Sequence, residues 1–166
     1  MARRSNRHAD APRLDMRRLE RLLGYRLRMA QVRLFKHFAE TLADFAISPA
    51  QAGLLILVDD NPEASQSDLA RALGIERASL GQTLAQLVAK GLVRKERHPA
   101  DGRAHVLRLT AEGRAFLDRL YPAIEAHERL FAAALAPDEQ EQLKVLLTRL
   151  GRGGASGPGE EKAGSP

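Results

Sequence analysis

Residues 65–90 place a small residue, a glycine and a leucine at intervals that restrict how two short helices can pack together. Counting from Gln66, Ala70 is the fifth residue, Gly74 the ninth and Leu80 the fifteenth. Two helices that cross at a steep angle need a small residue at their contact, a glycine where the chain turns and an apolar residue that fills the angle. The spacing therefore favours a helix-turn-helix over an unspecialised helical hairpin, which is the alternative.

The second of these helices, predicted from about Arg77 to Lys90, has two contrasting faces. One face is apolar and is expected to be buried; it consists of Leu80, Leu84, Leu87 and Val88. The other is rich in amides and hydroxyls, groups that bond base edges: glutamine suits adenine, arginine suits guanine, and serine or threonine suits several bases. We predict that this face reads DNA, through Arg77, Ser79, Gln82, Thr83 and Gln86.

A β-hairpin is predicted immediately after that helix. The stretches LVRKER and HVLRLT have the pattern of strands, and PADG between them has the composition of a turn. A hairpin in this position is a wing, which reaches DNA beside the recognition helix. We expect Arg103 at its tip to enter a narrow minor groove, where negative potential attracts arginine, with Asp101 directing the guanidinium. Nearer the phosphates we expect Arg94, Lys95, Arg97 and Arg108.

Long amphipathic helices are predicted on both sides of this region. Asp15 can cap the first, which runs to about Phe45, because apolar residues recur there every three or four positions. Thr110 can cap a second that runs to about Leu135, and Pro137 lies in the first turn of a last helix.

Start signals for shorter helices lie between them. Ser48 and Gln51 have the spacing of a capping box, as do Ser65 and Asp68. The predicted fold class is mainly α with a small β-hairpin wing: a winged helix-turn-helix with terminal dimerisation helices. Its parts are a disordered basic arm (1–13), an N-terminal dimerisation helix (14–47), the winged helix-turn-helix DNA-binding region (48–109), a long helix with a C-terminal dimerisation helix (110–150) and a disordered tail (151–166).

Positive charge is concentrated in two regions of the chain. The formal net charge is +5; residues 1–36 hold eleven Lys or Arg against three acids, and residues 76–109 hold seven against three. Residues 37–75 hold one against six. Separate basic regions divided by an acidic one indicate an anionic partner bound at chosen surfaces, although ordinary solvated helix faces account for the charges equally well.

Residues from about 25 to 150 resemble the MarR family (multiple antibiotic resistance regulator) of transcriptional regulators. The stretches that carry the resemblance are ISPAQAGLLILV, SQSDLARALGIERASLGQTLAQLVAKGLVRKERHPADGRAHVLRLTAEGRAF and LAPDEQEQL. Asp101-Gly102-Arg103 corresponds to the family's Asp-x-Arg wing signature. The resemblance implies a DNA-binding regulator that is an obligate dimer, and many such regulators are released from DNA by small aromatic acids.

The lengths of the terminal helices also predict a dimer. At 1.5 Å per residue, the first would span ~45 Å and the helix after the wing ~39 Å, more than a winged helix needs. Packing against a second copy would bury their apolar stripes and place two recognition helices one DNA turn apart, ~34 Å. We therefore expect a homodimeric, sequence-specific repressor on a palindromic operator.

Four residues on the first helix are candidates for binding an effector: Tyr25, Met29, Arg33 and His37. They are spaced by four and so form a slowly winding stripe. Arg or His could pair with a carboxylate while Tyr and Met contact a ring. A small aromatic carboxylate is the expected effector, and a partly solvated helix edge is the alternative reading of the stripe.

Other function classes lack their motifs. The sequence holds no Gly-rich phosphate loop, no HExxH and no nucleophile elbow, so neither an enzyme nor a bound cofactor is predicted. His98, Asp101 and His105 lie close together, but a hairpin tip without a supporting acidic shell does not favour a metal site. No apolar run approaches the ~20 residues of a membrane helix, and the chain has no cysteine, which fits a cytoplasmic protein and argues against a thiol-based sensor. The remaining alternative is an architectural or constitutive DNA-binding protein with no effector and little sequence preference.

Overall fold

The computed structural model describes residues 14–97 and 105–153, and there the chain is mainly helical with a two-stranded hairpin, which confirms the predicted fold class. The predicted basic arm, the hairpin tip and most of the predicted tail lie outside these residues. The elements are α1 (Arg17–Glu20), α2 (Leu23–Thr41), a 3₁₀ turn (Ala43–Phe45), α3 (Pro49–Asp60), α4 (Gln66–Leu73), α5 (Arg77–Ala89), β1 (Val93–Arg97), β2 (His105–Leu109), α6 (Ala111–Phe131) and α7 (Pro137–Gly153).

The first long helix is interrupted near its start, so the prediction of a continuous helix over 15–45 is wrong. Leu22, between α1 and α2, has an extended backbone with φ −82° and ψ 125°. Gly24 follows closely, and glycine lowers helix propensity by about 1 kcal/mol relative to alanine. Arg26 bridges the break, since its Nε donates to the Glu20 carbonyl at 2.8 Å. The nineteen residues of α2 span about 28 Å rather than 45 Å.

The chain reverses direction after α2 through a residue in the left-handed conformation. Ala46 has φ 47°, which costs a residue with a Cβ roughly 1–2 kcal/mol. The ammonium group of Lys90, just after α5, donates to the Ala46 carbonyl. This bond ties the turn before α3 to the end of α5.

The short helices begin as predicted, and α4 ends at its predicted glycine. Both capping boxes are present, Ser48 with Gln51 at the start of α3 and Ser65 with Asp68 at the start of α4. Gly74 ends α4 with φ 63°, a conformation that glycine adopts without steric penalty. The turn of the helix-turn-helix is therefore confirmed.

The core lies where α3, α5, the hairpin and α6 meet. Its most buried members, with at most 2% of their surface exposed, include Leu54, Leu55, Leu80, Leu84, Leu87, Leu107 and Leu120. Burying each leucine is worth roughly 1.5–3 kcal/mol, so three leucines anchor α5. The prediction that Val88 belongs to this stripe is wrong: Val88 is 41% exposed, because it lies about 100° around the helix from Leu87.

The hairpin is joined to α6 by a close crossing of two segments. Thr110 caps α6 by accepting from the Gly113 N–H at 2.9 Å, and its hydroxyl donates to the Gly91 carbonyl at 2.6 Å. A Cβ on Gly113 would lie 1.9 Å from the Leu92 carbonyl oxygen. Only glycine therefore lets the start of α6 pass this close to the segment that enters β1.

The last two helices have ends that differ from the predicted ones. α6 ends at Phe131, before the predicted end, because Gln140 on α7 donates to the carbonyls of Ala132 and Leu135 (3.2 and 3.0 Å) and stabilises a turn there. α7 continues to Gly153. The first three residues of the predicted disordered tail are therefore helical.

Candidate nucleic-acid interface

Three polar side chains form a row along the exposed side of α5. Ser79, Gln82 and Gln86 are three and four residues apart, which places them on one side of the helix, and all three are exposed. Leu80 and Leu87 on the other side are fully buried and fix the rotation of the helix. The polar face predicted from the sequence is therefore presented outward from a rigid support.

Two further residues predicted for this face have different surroundings. Arg77 is exposed in the first turn of α5. Thr83 is half-buried, and its Oγ1 donates to the Ser79 carbonyl at 3.0 Å. Because its hydrogen is used within the helix, the Thr83 hydroxyl has only acceptor capacity left for another partner.

Gln86 is held by a contact from α3 that the sequence analysis missed. The Nε2 of Gln51 lies 2.7 Å from the Oε1 of Gln86, and Gln51 is 7% exposed. The other end of the Gln51 amide closes the capping box, where Oε1 accepts from the Ser48 N–H at 3.0 Å. The available signal was that a capping-box glutamine on an apolar helix has an NH₂ group that needs a partner once it is buried.

An acidic residue of the hairpin lies between two arginines. Arg94 and Arg108 are directly opposite each other across the two strands, an arrangement in which like charges repel. Glu96 Oε1 lies 2.7 Å from the Nε of Arg94, and its Oε2 lies 3.7 Å from the Nε of Arg108. The Glu96 carboxylate offsets the repulsion and lowers the positive charge of the hairpin.

Arg108 also anchors the base of the hairpin. Its guanidinium donates to the Pro62 carbonyl at 2.8 Å and lies 3.3 Å from the Glu63 carboxylate. Only 25% of its side chain is exposed. These contacts tie β2 to the loop between α3 and α4, and they leave fewer Arg108 donors for the predicted phosphate contact.

The other residues predicted for the wing divide into two groups. Lys95 and Arg97 are exposed, and because they are two residues apart on a strand they share one face. Asp101 and Arg103, predicted for the tip, lie outside the described residues.

The four residues predicted to bind an effector lie along α2 in unequal surroundings. Tyr25, Met29 and His37 are half-buried, whereas Arg33 is exposed. Two apolar grooves of about 570 and 580 Å³ run beside α2, α6 and α7, and none of the four residues lines either of them. The residues that line both grooves are Leu34, Phe131, Leu143 and Leu147.

His37 is bonded to a histidine on α6 that is fully buried. The Nδ1 atoms of His37 and His127 are 2.7 Å apart. With both rings neutral, one ring carries its proton at Nδ1 and donates, and the other carries its proton at Nε2 and accepts. Within the described part of the chain, Nε2 of His127 has no hydrogen-bond partner. Burial lowers the pKa of His127 below its ordinary value; the neighbouring Glu128 carboxylate raises it, and His37 lowers it further.

The part of the chain that the structure describes holds neither a metal-binding cluster nor a membrane-spanning helix. Over 14–97 and 105–153, His, Asp and Glu side chains nowhere gather in a group of three or more that could hold a metal ion. His98 and the side chain of His105 lie outside the described residues. Every helix in the described ranges is too short or too polar to cross a membrane.

Sequence comparison finds relatives of this chain among transcriptional regulators. The family model of the MarR family matches residues 47–104. The chain is 35% identical over 131 residues to a protein described as the transcriptional regulatory protein for the hcr operon of Thauera aromatica. That match covers 78% of this chain and 79% of the relative.

Solved structures with this fold include two states of one repressor. The chain matches the transcriptional repressor CouR bound to a 23-mer DNA duplex with a TM-score of 0.78 and 36% identity, over 84% of this chain and 99% of that one. CouR bound to p-coumaroyl-CoA matches with a TM-score of 0.78 and 35% identity over the same shares. BpsR of Bordetella bronchiseptica, whose DNA binding is regulated by 6-hydroxynicotinic acid, matches with a TM-score of 0.75 and 26% identity, over 84% and 97%. Given this identity, coverage and shared fold, the chain belongs to the MarR family of transcriptional regulators.

Proposed function

We propose that this regulator binds a palindromic operator as a homodimer, represses transcription there, and leaves the operator when a small aromatic acid binds. The observation that carries DNA recognition is the exposed row of Ser79, Gln82 and Gln86 on a helix fixed by buried leucines. Side chains of these types form directed hydrogen bonds with base edges in the major groove. The DNA-bound structure of the similar repressor CouR supports this reading.

The wing supplies contacts to the DNA backbone and to the minor groove. Lys95 and Arg97, exposed on one face of β1, neutralise phosphates, which provides affinity without sequence preference. From the sequence we expect Arg103 at the tip to enter a narrow minor groove, with Asp101 orienting its guanidinium. Arg77, exposed at the start of α5, is the one basic residue of that helix and suits guanine.

A second copy covers apolar surface that one chain leaves in water. Apart from Val88, the exposed large hydrophobic residues of the described chain all lie within 14–35 or 121–150. Removing such surface from water is worth about 25 cal/mol per Å², and the two leucine-lined grooves beside α2, α6 and α7 suit the helices of a partner. A two-fold dimer places its recognition helices ~34 Å apart, one DNA turn, so its operator is palindromic.

The effector part of the proposal is supported by two relatives and by α2. The ligands of CouR and BpsR are an aromatic acid thioester and an aromatic acid. On this chain, exposed Arg33 suits a carboxylate, and half-buried Tyr25 and Met29 suit a ring. His37 joins α2 to α6 through His127. A ligand that binds more tightly to a dimer conformation in which the His37–His127 bond is broken shifts the population towards that conformation. The spacing of the recognition helices changes with it.

DNA recognition is tested by selecting binding sites for the full chain from a randomised duplex library and then substituting each base of the selected site. The wild type should select a palindrome, and Gln82→Ala should change base preference in each half-site more than it changes affinity. Lys95→Ala should weaken binding to every duplex and flatten the salt dependence by a slope of about 1. Gln142→Ala, on the exposed face of α7, is the control and should do neither. Equal affinity for random and selected duplexes would make the chain an architectural DNA-binding protein.

Effector release is tested by titrating benzoates, hydroxybenzoates, pyridine carboxylates and their coenzyme A thioesters into the operator complex. One class should weaken binding by about 5- to 150-fold, the usual range of such couplings. Arg33→Ala should abolish the response to a free acid without changing DNA affinity, and Arg21→Ala, an exposed arginine before α2, should leave the response intact. Release that survives Arg33→Ala combined with His37→Ala would place the effector elsewhere.

A further inference from the structure

The capping box at the start of α3 fixes the orientation of the Gln51 side-chain amide. The Ser48 backbone N–H lies 3.0 Å from one end of that amide. A backbone N–H can only donate, so the atom that it meets must be the amide oxygen, Oε1. The amide nitrogen, Nε2, therefore points to the other side, towards α5.

The orientation of the Gln51 amide in turn fixes the orientation of the Gln86 amide. Gln51 Nε2 can only donate, and it lies 2.7 Å from the Gln86 amide, so Gln86 must present its oxygen to it. With Gln51 only 7% exposed, water competes poorly for this bond. The oxygen of Gln86 is thus turned towards α3, with one of its two lone pairs bonded there, and its NH₂ group, with two N–H donors, is left for another partner.

We propose that Gln51 is a positioning residue that makes Gln86 a hydrogen-bond donor towards DNA, so that Gln86 selects bases with acceptors in the major groove. An unrestrained glutamine suits adenine, donating to N7 and accepting from N6. With its oxygen engaged by Gln51, Gln86 suits guanine N7 and O6 or thymine O4, and disfavours cytosine, whose N4 group donates. The inference rests on the proposed function of α5 as the recognition helix.

Gln82, one turn earlier in the same row, provides the contrast. Across residues 14–97 and 105–153 no hydrogen bond fixes the Gln82 side chain, so both ends of its amide are available to one base. Two glutamines of the same helix face are therefore expected to prefer different bases: adenine at Gln82, and guanine or thymine at Gln86.

The test is Gln51→Glu, which keeps the capping box because that position accepts Glu or Gln. One carboxylate oxygen of the introduced glutamate accepts from the Ser48 N–H. The other faces Gln86, which must donate an Nε2–H to it and therefore turn its amide oxygen towards DNA. Wild-type and variant full-length proteins select sites from the same randomised duplex library, and each base of the selected sites is then substituted. At one position in each half-site, the preferred base should change from guanine or thymine to adenine or cytosine, with a change of about tenfold in relative affinity. Residue 51 is buried, so this change would act through Gln86.

Two further variants separate this inference from a general loss of structure. In a Gln86→Ala background, Gln51→Glu should have no further effect on base preference. Gln51→Met offers no hydrogen bond to Gln86, so the variant should bind sites with adenine at this position as tightly as sites with guanine. If thermal melting shows that Gln51→Glu does not fold, Gln51→Met provides the test. The inference is overturned if the folded Gln51 variants keep the wild-type preference at every position. A wild-type protein that selects no sequence would instead refute the proposed function.

Discussion

His127 is fully buried where α6 packs on α2, and in the described part of the chain its Nε2 has no hydrogen-bond partner. A neutral ring nitrogen in this position costs less than a buried charge, so the fold tolerates the neutral ring and opposes its protonation. Burial accordingly lowers the pKa of His127. His37 acts in the same direction through charge, because the two Nδ1 atoms are 2.7 Å apart and a positive charge on one ring disfavours a positive charge on the other.

We predict that acid destabilises the protein through His127. The unfolded chain protonates this ring near its ordinary pKa of about 6.5, whereas the folded chain does so only at lower pH, so the free energy of unfolding falls as the pH drops below about 6.5. His127→Gln keeps a side chain able to bond His37 but cannot titrate, and it should remove this part of the loss. Urea unfolding near neutral pH and near pH ~5.5, at one protein concentration, measures both proteins. An equal loss in the two would assign the effect to another group.

At the residue scale, the sequence predicts partners that are close in the chain and misses those that are distant. The pair Ser48 and Gln51 is three residues apart, and helix geometry alone brings its groups together. His37 and His127 are ninety residues apart, and they meet only because α2 packs on α6. Both were visible as histidines on amphipathic helices, but no periodicity identifies which residues of two such helices touch.

At the scale of elements, the hairpin carries a carboxylate that limits its own positive charge. Glu96 is paired with Arg94 at 2.7 Å, on the strand expected to contact phosphates. Pairing with a carboxylate competes with pairing to a phosphate, because each guanidinium has a limited set of donors. In the proposed DNA complex, Glu96 would therefore lower the affinity of the hairpin for phosphate while it relieves the repulsion between Arg94 and Arg108 across the strands.

We predict that Glu96→Gln strengthens DNA binding. Freeing Arg94 from the carboxylate should raise affinity for operator and random duplex alike and steepen the salt dependence by a slope of up to about 1, the value for one added phosphate contact. Fluorescence anisotropy over a series of salt concentrations measures both changes. Glu141→Gln is the matched control, since it removes the same charge from a surface pair with Lys144 on α7. A similar gain from both variants would indicate net charge rather than the hairpin as the cause.

Apolar periodicity in the sequence does not predict every helix boundary. The apolar spacing of Leu19, Leu23 and Leu27 continues across the break between α1 and α2, so periodicity predicts one helix where the structure has two. The break depends on the backbone of Leu22 and on the bond from Arg26 to the Glu20 carbonyl. In contrast, side-chain caps and left-handed glycines act locally, and the elements from α3 to β2 begin and end close to their predicted bounds.

At the scale of the whole molecule, one chain leaves its terminal helices incompletely packed. Every residue from Glu141 to Arg152 on α7 is exposed, including five leucine or valine side chains. In proteins, most of the stability of a helix comes from packing its amphipathic face against other elements. The leucine-lined grooves beside α2, α6 and α7 are therefore the surface on which we propose that a second copy packs.

We predict that Leu147→Glu converts the protein into a monomer. Leu147 lines both grooves, and a carboxylate there would have to be buried without a partner in the dimer, at a cost that opposes association. At micromolar concentration the wild type should sediment at about twice its chain mass of 18.2 kDa and the variant at the single-chain mass. Gln142→Glu adds the same charge to the same helix at an exposed position that lines neither groove, so it should remain dimeric.

We also predict that the Leu147→Glu monomer and the wild-type dimer differ in how their DNA affinity depends on the number of half-sites. A dimer contacts two half-sites at once, so the wild type should prefer the full palindrome strongly over a duplex with one half-site. Leu147→Glu should bind both duplexes with nearly the same weak affinity, because its winged helix-turn-helix is intact and only the link between two copies is lost. A variant that stays dimeric, or a wild type that sediments as a monomer yet selects a palindrome, would contradict the assembly on which the proposed repression depends.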